Sequence, residues 1–203
     1  MKTKTGGVTG TTKYPTKEQI LKNLPRCPNK VLDLIEDEWS YEYKISWKRK
    51  TNAEKHHGIM SLISIVCAGL SVPIKEWPKY VLVSSKHGWA WGIHERQGTI
   101  FAPINNPSVI SALHELSHHL NGESELKACR FSTMIFKAAF PGWYKRLVWK
   151  GHRLVRADGR HELDSDPDGS EYGDDKNSEE GTCTECGEPY EECYCGDGYQ
   201  EQE

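Results

Sequence analysis

The chain of 203 residues has no long hydrophobic run, and its mean hydropathy is −0.69. A membrane-spanning helix needs about 20 consecutive apolar residues, so none is expected here. The first residues also lack the apolar segment of a secretory signal. The chain has seven cysteines, which a reducing compartment keeps as thiols. These features favour a cytoplasmic protein without a membrane partner.

Acidic residues are scarce in most of the chain, and basic residues are scarce in its last part. Residues 1–157 hold 24 Lys and Arg against 12 Asp and Glu, whereas residues 158–203 hold 2 against 17. The net charges of +12 and −15 are hidden in a total of −3. The acidic part has too few apolar residues to bury a core. We therefore expect a flexible arm at 1–13, one folded domain at 14–157, a disordered linker at 158–181 and a cysteine-rich unit at 182–203.

The basic domain has two interpretations. Lysines and arginines that neutralise phosphates release counterions, so the charge is compatible with nucleic-acid binding. Two basic clusters, at 48–50 and 145–156, have suitable composition, and the second is interleaved with Trp143, Tyr144 and Trp149. Alternatively, the charge is a solvated surface, or it attracts the chain's own acidic segment.

The most informative motif is His114-Glu115-Leu116-Ser117-His118. On a helix, residues i and i+4 share a face, so both imidazoles can reach one metal ion. Glu115 lies beside them, where it can take a proton from a water at the metal. The alternative is a surface helix that happens to carry three histidines. The third, His119, points about a quarter-turn away from the others, which predicts a supporting or solvent-facing role.

The neighbouring residues predict the helix that this motif requires. Asn106-Pro107 is a capping residue followed by proline at the first helical position, and Gly122 is a typical helix end. Between them, apolar residues recur at spacings of three and four and form one stripe: Val109, Leu113, Leu116 and Leu120. The motif histidines lie off the stripe, so the helix can bury its leucines and present the histidines to a cleft.

A catalytic zinc takes three protein ligands and leaves one position for water. A third ligand must therefore join the two histidines, and the sequence offers Glu125 first, with Glu123 and His152 behind it. Glu123 also suits the first turn of a following helix, where the helix dipole favours a carboxylate. That role is the preferred interpretation of Glu123.

The motif resembles the His-Glu-x-x-His signature of the zincin metallopeptidases. The run Glu125-x-x-Ala128-x-x-Phe131-Ser132 is similar to the helix that completes the zinc site in ImmA/IrrE-type metallopeptidases, where such a glutamate is a ligand. SprT-like proteases use a downstream histidine, a part that His152 or His161 would take here. They also pair the catalytic domain with a zinc-binding tail and act near DNA. The resemblance implies a zinc-dependent peptidase with a protein or peptide substrate and Glu115 as general base.

The expected fold is α+β: a minimal zincin-like domain with helices packed on a small sheet and a metal-binding helix. Helices are predicted at 16–24 and 52–70, and strands at 40–47, 79–85, 88–93 and 99–103. At 40–47 a strand is preferred to a continuation of the helix that begins at Pro28. The last three strands are expected to form an antiparallel meander. By the resemblance, strand 99–102 would lie at the cleft and pair with an extended peptide. Tyr144 or a downstream histidine would stabilise the oxyanion.

A non-enzymatic binding module is the competing class. In that case the histidine site would be structural, and the basic domain would bind nucleic acid or a protein partner. A fourth protein ligand closing the metal site would favour this interpretation.

Four cysteines within 13 residues predict a second, structural zinc site: Cys183, Cys186, Cys193 and Cys195. Four thiolates can surround one tetrahedral zinc, although disulfides or free thiols are alternatives. A metal would supply most of the folding energy of so small a unit. The other three cysteines stand among apolar neighbours and are expected to be buried thiols: Cys27, Cys67 and Cys129.

If both sites exist, the full chain should bind two zinc ions, and a chain truncated after residue 181 should bind one. The truncation removes the four clustered cysteines but leaves the histidine motif intact. Elemental analysis of the two purified proteins measures the ratio. Equal zinc content would show that the cysteine cluster holds no metal.

Overall fold

The computed structural model describes residues 14–44, 47–84, 86–94 and 97–156. All of them belong to the unit Met1–Gly169, while the second unit, Ser170–Glu203, consists of residues outside the description. The predictions for the arm at 1–13, the linker at 158–181 and the unit at 182–203 therefore lie outside the described residues. The same holds for His161 and the four clustered cysteines.

The described chain contains helices and two small sheets, which confirms the α+β class. The helices are α1 (Lys17–Leu21), α2 (Asn29–Leu34), α3 (Asn52–Gly69), α4 (Val109–Asn121), α5 (Glu125–Ala139) and α6 (Pro141–Tyr144). The strands are β1 (Lys79–Val83), β2 (Ala90–His94), β3 (Gln97–Pro103), β4 (Leu147–Lys150) and β5 (Arg153–Arg156). None of the described helices is long and apolar enough to cross a membrane.

Side-chain caps start the first and third helices. The capping box predicted at Thr16 is present: the Gln19 N–H donates to the Thr16 hydroxyl, and the Thr16 N–H donates to the Gln19 amide oxygen. An equivalent box joins Thr51 and Glu54 at the start of α3. Each box satisfies two backbone donors that a helix end otherwise leaves unpaired. The prediction of α3 is confirmed to within one residue, whereas α1 ends three residues earlier than predicted.

The strand predicted at residues 40–47 is wrong. A π-helical segment, Ile35–Lys44, continues directly from α2, and a 3₁₀ turn follows at Trp47–Arg49. The residues buried here recur at every fourth position: Val31, Ile35, Trp39, Tyr43 and Trp47. An α-helix turns once in 3.6 residues, so a spacing of four drifts around it, and a wider helix keeps these side chains on one face. The alternation of aromatic residues after Ser40 concealed this longer period.

The predicted meander is also wrong. The strand order is β1-β3-β2: β3 lies in the centre, parallel to β1 and antiparallel to β2. In a meander the second strand would be central. Since β3 has a neighbour on each side, it cannot accept a peptide strand. Among the described strands, β2 has one neighbour and lies at the edge of the sheet beside α4.

A second, two-stranded sheet was not predicted from the sequence. Strands β4 and β5 pair antiparallel through the turn Gly151-His152, with Lys150 opposite Arg153. Gly151 has a φ of 62°, and a two-residue hairpin with glycine first tolerates this left-handed backbone at no steric cost. The turn therefore places His152 at the tip of the hairpin.

Helix α4 buries the stripe that the sequence predicted. Val109, Leu113 and Leu116 are 0% exposed, and the helix packs most extensively on α5. Burial of each such side chain is worth about 1.5–3 kcal/mol. The helix begins later than predicted, because the cap is Ser108, which accepts the N–H of Ser111, and not Asn106. Gly122, with a φ of 78°, ends it as expected.

The substitution Gly58→Ala should lower the free energy of unfolding by about 1–2 kcal/mol. An alanine Cβ would lie 2.5 Å from the Tyr43 ring, which is buried and stacks on Trp39. Overpacking costs about 1–3 kcal/mol, more than the gain of about 1 kcal/mol in helix propensity. Urea denaturation measures the difference. Gly88→Ala is the control, since no atom lies within 4 Å of its Cβ position; a stable Gly58→Ala protein would contradict the close contact.

Candidate metal centre

The end of α4 and the start of α5 form the candidate metal centre. α4 carries His114 and His118 one turn apart, Gly122 reverses the chain, and α5 opens with Glu125. The donor atoms of these three ligand residues lie within 4.8 Å of one another. The third ligand ranked first from the sequence, Glu125, is therefore the one that meets the histidines.

The spacing of the three donors fits a tetrahedral zinc. The two Nε2 atoms are 3.1 Å apart, and the Glu125 carboxylate lies 3.3 Å from His114 Nε2 and 3.6 Å from His118 Nε2. Bonds of about 2.0–2.1 Å at tetrahedral angles separate two ligand atoms by about 3.3–3.4 Å. Two histidines and a glutamate are also a donor set that catalytic zinc sites use. The residues present thus fit the metal in both chemistry and spacing.

The ring of His118 is oriented by a backbone carbonyl. Its Nδ1 lies 3.1 Å from the carbonyl oxygen of Gly122. Because a carbonyl oxygen only accepts hydrogen bonds, Nδ1 carries the proton and Nε2 keeps its lone pair toward the centre. Such a partner on the far ring nitrogen is the usual support of a metal-binding histidine.

His114 is supported by a cysteine. The Sγ of Cys129, one turn after Glu125 on α5, lies 3.9 Å from Nδ1 of His114. Burial raises the pKa of Cys129 to about 12, so it is a neutral thiol at neutral pH. Burial and the neighbouring His118 lower the pKa of His114 to about 4, so its imidazole is in the neutral, metal-binding form.

Glu115 is buried beside the centre, with 9% of its surface exposed. Burial raises its pKa to about 7, and the nearby Glu125 carboxylate adds to this, while His118 and a hydrogen bond with the backbone of Trp91 act in the opposite direction. Glu115 does not belong to the group of ligand atoms. Its carboxyl group is therefore within electrostatic range of two members of the ligand group without belonging to it.

The other polar residues singled out from the sequence lie around the centre. Glu123 is exposed and outside the ligand group, and it precedes the cap of α5, so the first-turn carboxylate is Glu125 and the prediction for Glu123 is wrong. His152 lines the same cleft and stacks on Tyr14, with ring centroids 3.9 Å apart. It is not in the ligand group either. Burial lowers its pKa, and the charge of Arg153 adds to this.

His119 connects α4 to strand β2 and to the turn before β1. Its Nε2 donates to the carbonyl oxygen of Glu76 over 2.6 Å, and its Nδ1 accepts from the indole N–H of Trp91 over 3.4 Å. A Cβ on Gly98 would overlap this ring, so glycine is required there. The contact between Trp91 and His119 joins β2 to α4.

The centre opens into a cleft of about 1300 Å³. Residues 88–93, including most of edge strand β2, form one wall, and the tip of the β4–β5 hairpin lines the cleft as well. Sequence reasoning missed the edge position of β2 and the nearness of the hairpin to the motif. A glycine between two short β-prone runs was the available sign of the hairpin. The contact of Cys129 with His114 had no sequence sign beyond their helical spacings.

Comparisons with known proteins identify no relative. No protein-family model matches the chain, and neither the curated proteins nor the solved structures contain a significant match.

The substitution Glu125→Ala should lower zinc affinity by at least about a hundredfold, because even loss of an outer partner of a ligand costs about ten- to a hundredfold. Glu123→Ala removes a carboxylate two residues away and should leave affinity unchanged. Competition with a chromophoric chelator measures both. Equal affinities of the two variants would exclude Glu125 as a ligand.

Proposed function

We propose that this protein is a zinc-dependent peptidase of the minimal zincin type. His114, His118 and Glu125 would hold the metal, and Glu115 would be the general base. The observation that carries the proposal is the placement of two imidazoles and a carboxylate at zinc-like spacing on an open cleft. A buried carboxyl group that is not a ligand lies next to them.

Zinc supplies Lewis acidity, which polarises a carbonyl oxygen and makes water a nucleophile at neutral pH. The protein's part is the movement of the proton. Glu115 takes it from the attacking water onto a carboxylate oxygen and returns it to the nitrogen of the leaving amine. The hydrogen bond with the backbone of Trp91 holds this carboxylate in place.

The free edge of β2 is the proposed binding site for the peptide substrate. Its inner edge pairs with β3, and its residues line the cleft beside α4. An extended peptide can add to such an edge through backbone hydrogen bonds, which give affinity without dependence on side chains. This assigns to β2 the role that the sequence had predicted for residues 99–102.

His152 is the proposed stabiliser of the oxyanion. Of the candidates that the structure describes, His152 lines the cleft, whereas Tyr144 is half-buried under Lys137 and does not. A ring N–H directed at the carbonyl oxygen would stabilise the negative charge that develops there. The neighbouring positive charge of Arg153 strengthens this environment.

A non-catalytic metal module is the second candidate, and the ligand count argues against it. Within the described ranges, three ligand residues come together, which leaves a position for water. A structural zinc site is usually closed by four protein ligands. The proposed cysteine-bound zinc and a nucleic-acid partner for the basic domain remain sequence-based proposals.

The substitution Glu115→Gln should keep zinc binding and lower peptide hydrolysis by about a hundredfold or more, the usual contribution of a general base. The amide has nearly the same shape but cannot accept the proton. The assay is digestion of a proteome-derived peptide library by the zinc-loaded full chain, with the products identified by mass spectrometry.

Glu123→Gln is the matched control and should cleave like the parent protein. A parent protein that cleaves no peptide when zinc-loaded would overturn the peptidase proposal. Equal rates for the parent and Glu115→Gln would overturn the role of Glu115 alone.

A further inference from the structure

Two cations at the tip of the β4–β5 hairpin face the candidate active-site cleft. Lys150 and Arg153 are exposed and both line the cleft, on either side of the turn that carries His152. They are directly opposite each other in the antiparallel pair. Residues in such positions project to the same face, with Cβ atoms about 4.5–5.5 Å apart.

Like charges opposite each other on neighbouring strands are destabilising. Among the described residues, the ion pairs of the centre join Glu125 to the histidines, and none involves Lys150 or Arg153. Within this part of the chain, the two cations are thus a concentrated positive charge with no carboxylate in ion-pair contact. An anionic group bound in the cleft would relieve the repulsion.

The charge lies close to the site where a peptide bond would be cleaved. The positive charge of Arg153 is one of the smaller contributions to the pKa values of His114 and Cys129, and it acts to lower both. Its guanidinium is therefore within electrostatic range of the centre. Two further cations, Lys55 and Arg156, line the same cleft. The same lining contains three carboxylates, of which Glu115 is buried, Glu125 belongs to the candidate ligand group and Glu123 is exposed.

We propose that the hairpin tip is a specificity element that selects peptides with aspartate or glutamate close to the scissile bond. This inference rests on the proposed peptidase function and adds a substrate class to it. The peptide would lie along β2, with its acidic side chains directed to Lys150 and Arg153 across the cleft. A peptide is favoured over nucleic acid because the same cleft offers a free strand edge, which binds a polypeptide backbone.

The first experiment compares cleavage profiles of zinc-loaded full-length proteins on the proteome-derived peptide library. The parent protein should enrich Asp and Glu near the cleaved bond several-fold, and the double variant Lys150→Glu with Arg153→Glu should lose this enrichment and favour Lys and Arg. Lys17→Glu with Lys22→Glu is the control, because it makes the same change in net charge at the two ends of α1, and neither residue lines the cleft. Its profile should equal that of the parent.

The second experiment measures binding, so that the inference is tested even if no peptide is cleaved. The probes are a fluorescein-labelled decapeptide of alternating glutamate and alanine and its glutamine counterpart. Zinc-loaded Glu115→Gln protein should bind the acidic probe about tenfold more tightly at low salt, as expected for two exposed ion pairs. The preference should shrink as salt is raised and vanish with both hairpin charges reversed.

The possible results distinguish a failure of the proposed acidic specificity from a failure of the proposed peptidase activity. Cleavage without acidic enrichment, or with enrichment unchanged in the hairpin variant, would overturn the inference and leave the peptidase intact. Acidic binding without cleavage would support the inference and overturn the peptidase. A labelled single-stranded oligonucleotide that depends on the same two charges and binds more tightly than the acidic peptide would overturn the inference in favour of nucleic acid.

A change of fold is excluded by a neutral variant, Lys150→Gln with Arg153→Gln. Its thermal stability should equal or exceed that of the parent, because the substitution removes a repulsion. A fall in its melting temperature would show that the pair stabilises the hairpin, and the loss of acidic preference would then have a structural cause.

Discussion

The candidate site depends on one turn, the reversal of the chain at Gly122 between α4 and α5. Its positive φ lets the helix end abruptly, and α5 then begins with Glu125 beside the two histidines. The turn also sets the tautomer of His118, because the carbonyl oxygen of Gly122 accepts a hydrogen bond from Nδ1 of that ring. Helix termination, ligand position and imidazole tautomer are thus consequences of the same backbone reversal. A residue that resists left-handed backbone would disturb all three.

The packing of α4 on α5 converts this local arrangement into a rigid one. Val109, Leu113 and Leu116 of the apolar stripe of α4 are fully buried and Leu120 is partly buried, so the stripe packs on the core while the two histidines of the motif line the cleft. Cys129 follows Glu125 by one turn and contacts His114 from behind. His119, on a third face, connects the helix to Trp91 of the edge strand. Each side of α4 therefore has a different partner: the core, Glu125 and Cys129 of α5, and the strand proposed to bind substrate.

Local sequence patterns correctly predicted the elements that depend on interactions between neighbouring residues. The capping box at Thr16, the helix ended by Gly122 and the stripe from Val109 to Leu116 depend on hydrogen bonds and spacings within a few residues. The predictions failed where two sequence patterns indicated different structures, or where the structure depends on contacts between distant segments. Alternating aromatic residues suggested a strand at 40–47, but burial of every fourth residue produced a π-helix. The strand order β1-β3-β2 is a long-range choice that three neighbouring strand signals do not encode.

By itself, the sequence determined the candidate ligand types and two of the three candidate positions, because helical geometry makes His114 and His118 share a face. It ranked Glu125 above Glu123 and His152 but could not decide among them, since that choice depends on how sharply the chain turns. The chain reversal at Gly122 brings Glu125, and not Glu123 or His152, into the group with the two histidines. The same holds for the cleft: only the pairing of β2 with β3, and the folding of the β4–β5 hairpin toward α4, determine which strand edge and which cations face the metal centre. Such contacts join residues distant in sequence, and no local propensity specifies them.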